Sequence, residues 1–307
     1  MAGKSPTERL RADPAGIARG AGLLRGGGLV ALPTETVYGL AARADSEDAV
    51  ARIYAAKGRP SFNPLIVHVS SLELAEGLAE FSDVALELAA SHWPGPLTLV
   101  LPRRRDVTLA EAVSAGLPTL ALRCPAHPVM QAVLSAVGIP LAAPSANRSG
   151  FVSPTAAEHV LATLDGRIDA VLDAGPCPAG LESTIAAVRA NGRVEVLRPG
   201  PILLDADANA AGAVEAPGQL ASHYAPGKPL RLNAIVAENG EFLIGFGVVE
   251  GHCTLSQRGD PAEAARRLYA CLHEAARSGF VRIAVAPIPD DGVGIAINDR
   301  LRRAAAG

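Results

Sequence analysis

Cysteine is scarce in this chain and is spread widely along it. The 307 residues include four cysteines, Cys124, Cys177, Cys253 and Cys271, and no two of them form a C-x-x-C pair. Structural zinc sites and disulfide frameworks rely on patterned cysteines, so this spacing argues against both. We therefore expect unpaired thiols, no protein-held metal and a reducing, cytoplasmic location.

Long apolar runs are also missing. No stretch reaches the ~18 uninterrupted apolar residues of a membrane span. The opening residues, MAGKSPTERLRADPAG, have no apolar core after their charges, which a secretory signal would have. The sequence predicts a soluble protein with no membrane partner.

An excess of positive charge is absent as well. The chain has 28 basic and 31 acidic side chains, a net charge of −3, so no global field attracts nucleic acid. Any weak RNA contact would need a local basic patch. There is also no G-x-S-x-G nucleophile elbow and no H-E-x-x-H helix, which argues against hydrolytic and zinc chemistry.

The chain does have the composition of an ordinary globular protein, 49% hydrophobic and 19% charged. Helical spacing is found at SEDAVARIYAAKG, where Ser46 is a candidate N-cap, and near residues 82 to 92, 126 to 137 and 154 to 163. Strands are predicted at GLVAL, PLIVHV, PLTLVL, TLALRC, AVLDAG, TIAAV and RVEVLR. The mixture indicates an α+β or α/β fold.

A change in pattern at residues 211 to 229 predicts two domains, 1 to 210 and 230 to 307. The segment AGAVEAPGQLASHYAPGKP contains three prolines and three glycines, which suits an interdomain linker. Strand patterns follow at PLRLNAIV, EFLIGFG and VRIAVAPI. One helix is opened by Asp260 and Pro261, and another ends near Ala306. These elements predict a small βαβ-type domain.

Basic and polar residues concentrate in KGRPSFNPLIVHV, residues 57 to 69. Lys57 and Arg59 stand where a helix should end, and Asn63 and His68 flank a predicted strand. Two cations at such a place are able to hold polyphosphate oxygens. Taken alone, however, the segment favours the alternative, in which both are solvated charges that complement the negative end of the helix dipole.

Two predicted loops are rich in hydroxyl groups. PTETVYGL at 33 to 40 follows an apolar strand, and APSANRSGFVSPT at 143 to 155 carries Ser145, Asn147 and Ser153. Hydroxyls and backbone N–H groups of such loops can wrap a ribose or a phosphate. The alternative is an ordinary loop in which Ser153 caps the next helix.

Arg123 is the least expected residue, because it lies inside the apolar run TLALRC. A guanidinium on a strand of the core requires an anionic partner. A ligand carboxylate and one of the protein's own acids remain equal alternatives. His68 is similar, since a histidine on a core strand is either a satisfied structural group or a site residue.

Several blocks together resemble a known family. The blocks are PTETVYGL, KGRPSFNPLIVHV, WPGPLTLVL, LRCPAHP, APSANRSGFVSPT, GLEST and LRPG, and their order and spacing are similar to those of the YrdC-type threonylcarbamoyl-AMP synthases. The linker APGQLASHYAP and the ending DDGVGIAINDRLRRAA resemble the longer, two-domain branch. The resemblance implies an α/β fold: a twisted-sheet domain with a concave, positively charged cavity, a smaller Rossmann-like C-terminal domain, and a linker that forms a lid.

The resemblance also implies roles for individual residues. Lys57 and Arg59 would be the catalytic cations, with Lys57 near the phosphates or the bicarbonate. L-Threonine would contact Thr36, His68, Arg123, the backbone of Ala143, and Ser183. ATP would contact Arg59, Asn63, Thr119, Ser145, Ser153, Arg198 and Tyr224. Magnesium would accompany ATP, and no organic cofactor is implied.

The implied reaction condenses L-threonine, bicarbonate and ATP to threonylcarbamoyl-AMP and pyrophosphate, and a tRNA threonylcarbamoyl-transferase complex would receive the product. One departure concerns the linker: Gln219, Leu220, Ala221 and Ser222 precede the His223–Tyr224 pair, where the family commonly has a methionine and basic residues. The main alternative is a double-stranded RNA-binding module without turnover. A carbamoyl-transfer relative is a further alternative, but this chain has no zinc-finger or acylphosphatase parts.

Overall fold

The computed structural model describes residues 6–208, 214–219 and 222–307. The predicted linker is thus described only in part, and Leu220 and Ala221 lie outside the described residues, as do the first five residues of the opening segment. The strands are β1 Glu8–Arg11, β2 Val30–Leu32, β3 Gly39–Arg43, β4 Ile66–His68, β5 Leu97–Pro102, β6 Thr119–Arg123, β7 Leu141–Ala142, β8 Ala170–Asp173, β9 Thr184–Val188, β10 Val194–Arg198, β11 Asp207–Ala208, β12 Leu230–Arg231, β13 Glu241–Gly245, β14 Cys253–Thr254 and β15 Arg282–Val285. The helices are α1 Pro14–Arg25, α2 Glu47–Lys57, α3 Leu72–Glu76, α4 Asp83–His92, α5 Glu111–Ser114, α6 Pro128–Val137, α7 Ala157–Leu164, α8 Pro261–Arg277 and α9 Gly294–Ala305.

A mixed sheet of eleven strands forms the larger part of the fold. Its order is β1-β8-β2-β3-β7-β4-β6-β5-β9-β10-β11. Strand β6 runs parallel to β4 and antiparallel to β5. The predicted α/β class is confirmed, because helices and a largely buried mixed sheet share one core.

Alternate residues of the strands enter different hydrophobic clusters, as the two-residue period of a strand requires. In β2, Ala31 joins the cluster of helices α2, α4 and α7, whereas Val30 and Leu32 join that of α1 and α6. The sheet is therefore covered by helices on both faces. In β5, Leu97, Leu99 and Leu101 belong to the first cluster, and Val100 faces the opposite side.

A second, fully parallel sheet of four strands has the order β12-β15-β13-β14. Helices α8 and α9 pack on it. Their core also contains Val37, Val152, Leu181 and Tyr224, which belong to the large part of the chain and the linker. The two sheets are therefore joined through a shared apolar core. The domain boundaries at 210 and 230 stay a prediction.

Helix boundaries follow local capping chemistry. Ser46 caps α2 by accepting a hydrogen bond from Ala49 N, and Asp260 caps α8 in the same way from Ala262 N, as predicted. Ser153 does not cap the next helix. Helix α7 begins at Ala157, its N-cap position is Ala156, and no side chain caps it among the described residues; the Ser153 hydroxyl donates to Glu182.

The expectation of four unpaired cysteines is wrong. Cys253 and Cys271 form a disulfide with a Cα–Cα distance of 6.1 Å, while Cys124 and Cys177 are free and buried. Strand β14 lies beside helix α8, so 18 residues of sequence separation become a direct contact. Sequence spacing carries no information on such tertiary proximity. In the described part of the chain, every helix is too short or too polar to cross a membrane.

Candidate functional site

A cavity opens where the carboxyl ends of β4 and β6 meet the loop at 143–145, the loop at 182–183 and the linker. It is lined by Thr34, Thr36, Val37, Gly39, Arg59, Ile66, His68, Arg123, Ala143, Pro144, Ser145, Glu182, Ser183, Arg198, Pro217, Gly218, His223 and Tyr224.

Strand periodicity explains why polar groups gather there. Ile66 and Ala121 are paired in register on β4 and β6, and so are His68 and Arg123 two residues later. Residues two apart on a strand share a face, and Ile66 and Ala121 belong to the apolar cluster on the face away from α2, α4 and α7. His68 and Arg123 therefore continue that face beyond its apolar part, at the floor of the cavity.

Arg123 has an acidic partner within the protein. Its Nη2 donates to Glu35 Oε1 at 2.6 Å, its Nη1 to Thr36 Oγ1 at 3.0 Å, and its Nε to the Gly95 carbonyl at 3.2 Å. A guanidinium has five N–H groups, so one N–H remains on each terminal nitrogen. From the sequence, the partner of Arg123 was either an acidic residue of the protein or a ligand carboxylate. The structure provides an acidic residue, Glu35, and two N–H groups of Arg123 still have no partner among the described residues.

Glu35 balances the charge of Arg123. Burial raises the pKa of this carboxyl, but the charge and hydrogen bond of Arg123 outweigh burial, and the net pKa is lowered. Its second oxygen accepts from Ala126 N at 3.1 Å. Glu35 is thus an ionised, fully occupied acid.

His68 is not a satisfied core group. Its Nδ1 is buried and has no hydrogen-bond partner among the described residues. Burial, and then the nearby Arg123 charge, lower its pKa to about 3. The ring is therefore neutral at physiological pH and presents an unpaired nitrogen beside the cavity.

Two further arginines of the cavity, Arg59 and Arg198, are bonded to neutral groups only. Arg59 donates to the Asn63 and Pro64 carbonyls and to Asn63 Oδ1. Arg198 donates to the Ser183 carbonyl at 2.9 Å, to Ser183 Oγ at 3.0 Å and to the Pro217 carbonyl. Neither has a carboxylate within 4.0 Å among the described residues, although both are buried. Burial lowers the pKa of Arg59 to about 10. Buried, unpaired guanidinium groups are costly, and an anionic ligand relieves that cost.

Hydroxyl groups connect these cations. Thr98 Oγ1 lies 2.7 Å from Ser183 Oγ, and Thr34 Oγ1 lies 2.8 Å from Thr36 Oγ1. The linker closes the opposite side, where His223 Nδ1 and Tyr224 Oη are buried without partners among the described residues. Burial lowers the pKa of His223 to about 3. Unsatisfied polar atoms facing one hollow indicate a polar ligand.

Lys57 is not part of the cavity wall. Its Nζ donates to the Ser145 carbonyl at 2.5 Å and to the Asn147 carbonyl at 2.6 Å. Burial, and then Arg59, lower its pKa well below the usual value. In this structure Lys57 holds the loop that carries Ser145, and its predicted place at the phosphates is not seen.

The remaining predicted residues differ in their distance from the cavity. Asn63 supports Arg59, and its Nδ2 is buried without a partner in the described chain. Ser153 donates to Glu182, which itself lines the cavity. Thr119 begins β6, four residues before Arg123, which corresponds to about 13 Å along a strand. The structure thus brings together Thr36, Arg59, His68, Arg123, Ala143, Ser145, Ser183, Arg198 and Tyr224.

Sequence reasoning missed Glu35, Glu182 and Arg300. Both acids stand inside quoted blocks, PTETVYGL and GLEST, where a carboxylate among hydroxyls was a usable signal. Arg300 had no such signal, because it is one of four charged residues in the stretch NDRLRR.

The cavity offers cations, hydroxyls and a neutral imidazole. Among the residues that the structure describes, there is no group of three or more His, Cys, Asp or Glu side chains that would hold a metal ion. The arrangement suits the binding and alignment of anionic ligands, with charge stabilisation as its chemistry.

Fold and site together define an α/β protein with two sheets and a largely buried, arginine-rich cavity. Residues 22–200 match the family of Sua5, YciO and YrdC proteins, described as Telomere recombination. Residues 181–306 match the threonylcarbamoyl-AMP synthase C-terminal domain. The chain belongs to the threonylcarbamoyl-AMP synthase family, which confirms the resemblance seen in the sequence.

Individual relatives agree over nearly the whole chain. The threonylcarbamoyl-AMP synthase of Bacillus subtilis is 39% identical over 98% of this chain and 96% of its own length. That of Pyrococcus abyssi is 37% identical over 93% of this chain and 92% of its own. The crystal structure of P. abyssi Sua5 complexed with L-threonine has a TM-score of 0.89 at 34% identity, covering 98% of each chain. Escherichia coli YciO, at 20% identity and a TM-score of 0.54, shares the fold over 63% of this chain.

Proposed function

We propose that this protein is an L-threonylcarbamoyladenylate synthase, a nucleotidyltransferase that condenses L-threonine, bicarbonate and ATP to threonylcarbamoyl-AMP and pyrophosphate. One observation carries the proposal: a single cavity holds Arg59 and Arg198 without acidic partners among the described residues, beside an Arg123 with two N–H groups that no described residue uses. Relatives named threonylcarbamoyl-AMP synthase, one of them complexed with L-threonine, support it.

The threonine would occupy the floor of the cavity. Its carboxylate would accept from the two free N–H groups of Arg123, a bidentate arrangement that guanidinium favours. Thr36, the neutral His68, the backbone of Ala143 and Ser183 would contact the rest of the amino acid. A neutral imidazole is suitable here, because it adds no positive charge against the amino group.

ATP would lie toward the linker. Arg59 and Arg198 would hold phosphate oxygens, and Ser145 and Tyr224 would contact the nucleotide. Asn63, Thr119 and Ser153 remain predicted ATP contacts. The buried Asn63 Nδ2 has no partner among the described residues, so it is able to donate a hydrogen bond to the nucleotide. Lys57 would act through the loop of Ser145, which it holds.

The chemistry requires no protein nucleophile. The threonine amine attacks carbon dioxide derived from bicarbonate and loses a proton, which gives a carbamate. A carbamate oxygen then attacks the α-phosphorus of ATP, and the bond to the bridging oxygen of pyrophosphate breaks. Fixed cations align the reactants and stabilise the charge that develops on phosphate oxygens.

Magnesium would arrive as part of the substrate, on the phosphates of ATP. Glu182 lines the cavity and Glu35 bonds to Arg123, and both acids are already paired with arginines.

We further propose that linker residues 214–219 and 222–229 form a lid over a basic concavity, and that the second domain is Rossmann-like. The lid would protect the carbamate and the mixed anhydride from water. A cytoplasmic location, transfer of the adenylate to a tRNA-modifying complex and weak RNA contact remain predictions. An RNA-binding module without turnover is the alternative.

A pyrophosphate-release assay with each substrate omitted in turn tests the function. We expect release only when L-threonine, bicarbonate and ATP are all present. Release from ATP alone, or RNA binding without any release, would contradict the proposal.

A further inference from the structure

The loops that form the cavity rest on the two helices of the second domain. A Cβ added to Gly180 would lie 2.5 Å from the backbone Cα of Arg266 on α8, so the 180–184 loop touches that helix directly. His273 Nε2 lies 3.0 Å from the Ser153 carbonyl, and Arg300 Nη2 donates to the Pro199 carbonyl at 2.8 Å. Three loops that carry or adjoin cavity residues are therefore fixed from outside the large sheet.

Glu182 is the central residue of this contact. It is buried, and its Oε1 accepts from Ser153 Oγ at 2.5 Å. Its Oε2 accepts from Tyr269 Oη at 2.7 Å and from Arg300 Nε at 3.0 Å. Tyr269 lies on α8 and Arg300 on α9, so the second domain supplies two of the three donors.

Arg300 is the arginine that takes the charge of Glu182. Its side chain is 0% exposed and forms an ion pair with Glu182 and another with Asp299. Arg198 is the cavity arginine near Glu182, and it is bonded to Ser183 and Pro217 instead. Two guanidinium groups thus stand near one carboxylate, and only one of them is neutralised by it.

We propose that Arg300 is a positioning residue that retains the Glu182 carboxylate and thereby leaves Arg198 unpaired for a phosphate anion of the substrate. The inference rests on the proposed function, because it deepens the role of the same site. Without Arg300, Glu182 would turn to the nearest remaining cation, and the Arg198 charge would no longer be free for the ligand.

Arg300 also supports the linker. The Arg300 guanidinium carbon lies 5.3 Å from the centroid of the Tyr224 ring, within the range of a cation–π contact. One side chain of the second domain therefore holds a carboxylate of the cavity wall and an aromatic residue of the linker.

The role of Arg300 is tested by measuring ATP affinity on the full chain with isothermal titration calorimetry, a measurement that does not depend on catalytic turnover. We expect Arg300→Met to weaken ATP binding by about tenfold or more, because Arg198 is then neutralised. The double variant Glu182→Gln with Arg300→Met should regain most of that affinity, since glutamine has no charge; its oxygen accepts from one of the Ser153 and Tyr269 hydroxyls, and its NH₂ group donates to the other. The control is Arg302→Met on the same helix, where the Arg302 side chain is 57% exposed and wild-type affinity is expected.

Recovery of ATP affinity in the double variant would distinguish the proposed effect of Glu182 on Arg198 from general damage to the fold, because a second substitution in the core should not repair a damaged fold. If the double variant binds ATP no better than Arg300→Met, the inference is overturned. If Arg300→Met does not fold, Glu182→Gln alone decides: retained affinity supports the inference, and a loss of about tenfold overturns it.

Pyrophosphate release by the wild-type chain and by Arg302→Met distinguishes a failure of the proposed function from a failure of the proposed role of Arg300. Absence of release together with rescue of ATP binding would reject the proposed function and keep the role of Arg300. Substrate-dependent release without rescue would keep the function and reject that role. A wild-type chain that binds no ATP would reject both.

Discussion

At the scale of single residues, a charge inside an apolar run was the most informative signal. Arg123 and His68 could be singled out because strand positions with apolar neighbours demand a partner for a polar group. Both line the cavity. Lys57 and Arg59 looked alike in the sequence, yet only Arg59 reaches the cavity. The direction of a side chain at a helix end depends on tertiary contacts that local patterns do not contain.

Replacing Arg123 by Ala should cripple the use of threonine and affect ATP less. Arg123 would provide the two N–H groups for the substrate carboxylate, whereas Arg59 and Arg198 are left in place. We expect the KM for threonine to rise by at least about tenfold, or 1.4 kcal/mol, in the pyrophosphate-release assay.

Glu35→Gln is the matched control for that variant. Glu35 accepts one hydrogen bond from Arg123 Nη2, and the side-chain oxygen of a glutamine is able to accept the same bond, so the KM for threonine should change much less. An equal loss of threonine and ATP affinity in Arg123→Ala would contradict the assigned role.

At the scale of elements, the sequence predicted helices and strands that the structure contains at α2, α8, β5, β6 and β9, but it did not predict the five-residue strand β3. The two-residue strands β7 and β14 could not be predicted, since their existence depends on pairing with other strands. PLRLNAIV was predicted as a whole strand, but only Leu230–Arg231 is one.

Gly218 is the linker position where backbone and cavity are in closest contact. Its φ is +87°, and an added Cβ would lie 2.8 Å from Arg198 Cδ and 2.9 Å from Tyr224 Oη. Gly218→Ala should therefore displace two predicted ATP contacts. We expect the KM for ATP to rise by about tenfold, measured by pyrophosphate release.

Gly227→Ala provides the matched control, since Gly227 has φ +75° in the same linker and nothing within 4 Å of an added Cβ. It carries a similar left-handed backbone strain without touching the cavity. A similar rise of the KM for ATP in both variants would mean that strain alone, and not crowding of Arg198 and Tyr224, is responsible.

At the scale of the whole molecule, the sequence predicted two domains and did not reveal how closely they join. The shared apolar core and the Glu182–Arg300 pair connect residues that lie far apart in the chain. A single sequence has no signal for such pairings, because burial and charge at each position are compatible with many partners. The domain junction is therefore what the structure adds most clearly.

A stacked pair of histidines crosses this junction and should make stability depend on pH. His159 on α7 and His273 on α8 have ring centroids 3.9 Å apart. Burial lowers the pKa of His159 to about 4 and that of His273 to about 3. Arg277 lowers both further, the neighbouring ring also lowers that of His273, and Glu158 and the Ser153 carbonyl oppose the shift of His273.

The sign of the effect follows from proton binding. An unfolded histidine takes up a proton below about pH 6.5, whereas the folded pair stays neutral until near pH 4. The free energy of unfolding is therefore at its plateau above about pH 6.5 and falls as the pH decreases, by about 1.4 kcal/mol per pH unit for each such histidine. His68 and His223, with pKa values of about 3, act in the same direction.

Urea unfolding of the wild-type chain and of His273→Gln between about pH 5 and pH 8 measures this contribution. Glutamine keeps a donor for the Ser153 carbonyl but takes up no proton, so the slope below about pH 6.5 should decrease by about 1.4 kcal/mol per pH unit. The two proteins should have parallel, flat profiles above that pH. An unchanged acid slope in His273→Gln would show that His273 is already protonated in the folded chain, and the stacked pair would then not be a neutral contact between the two domains.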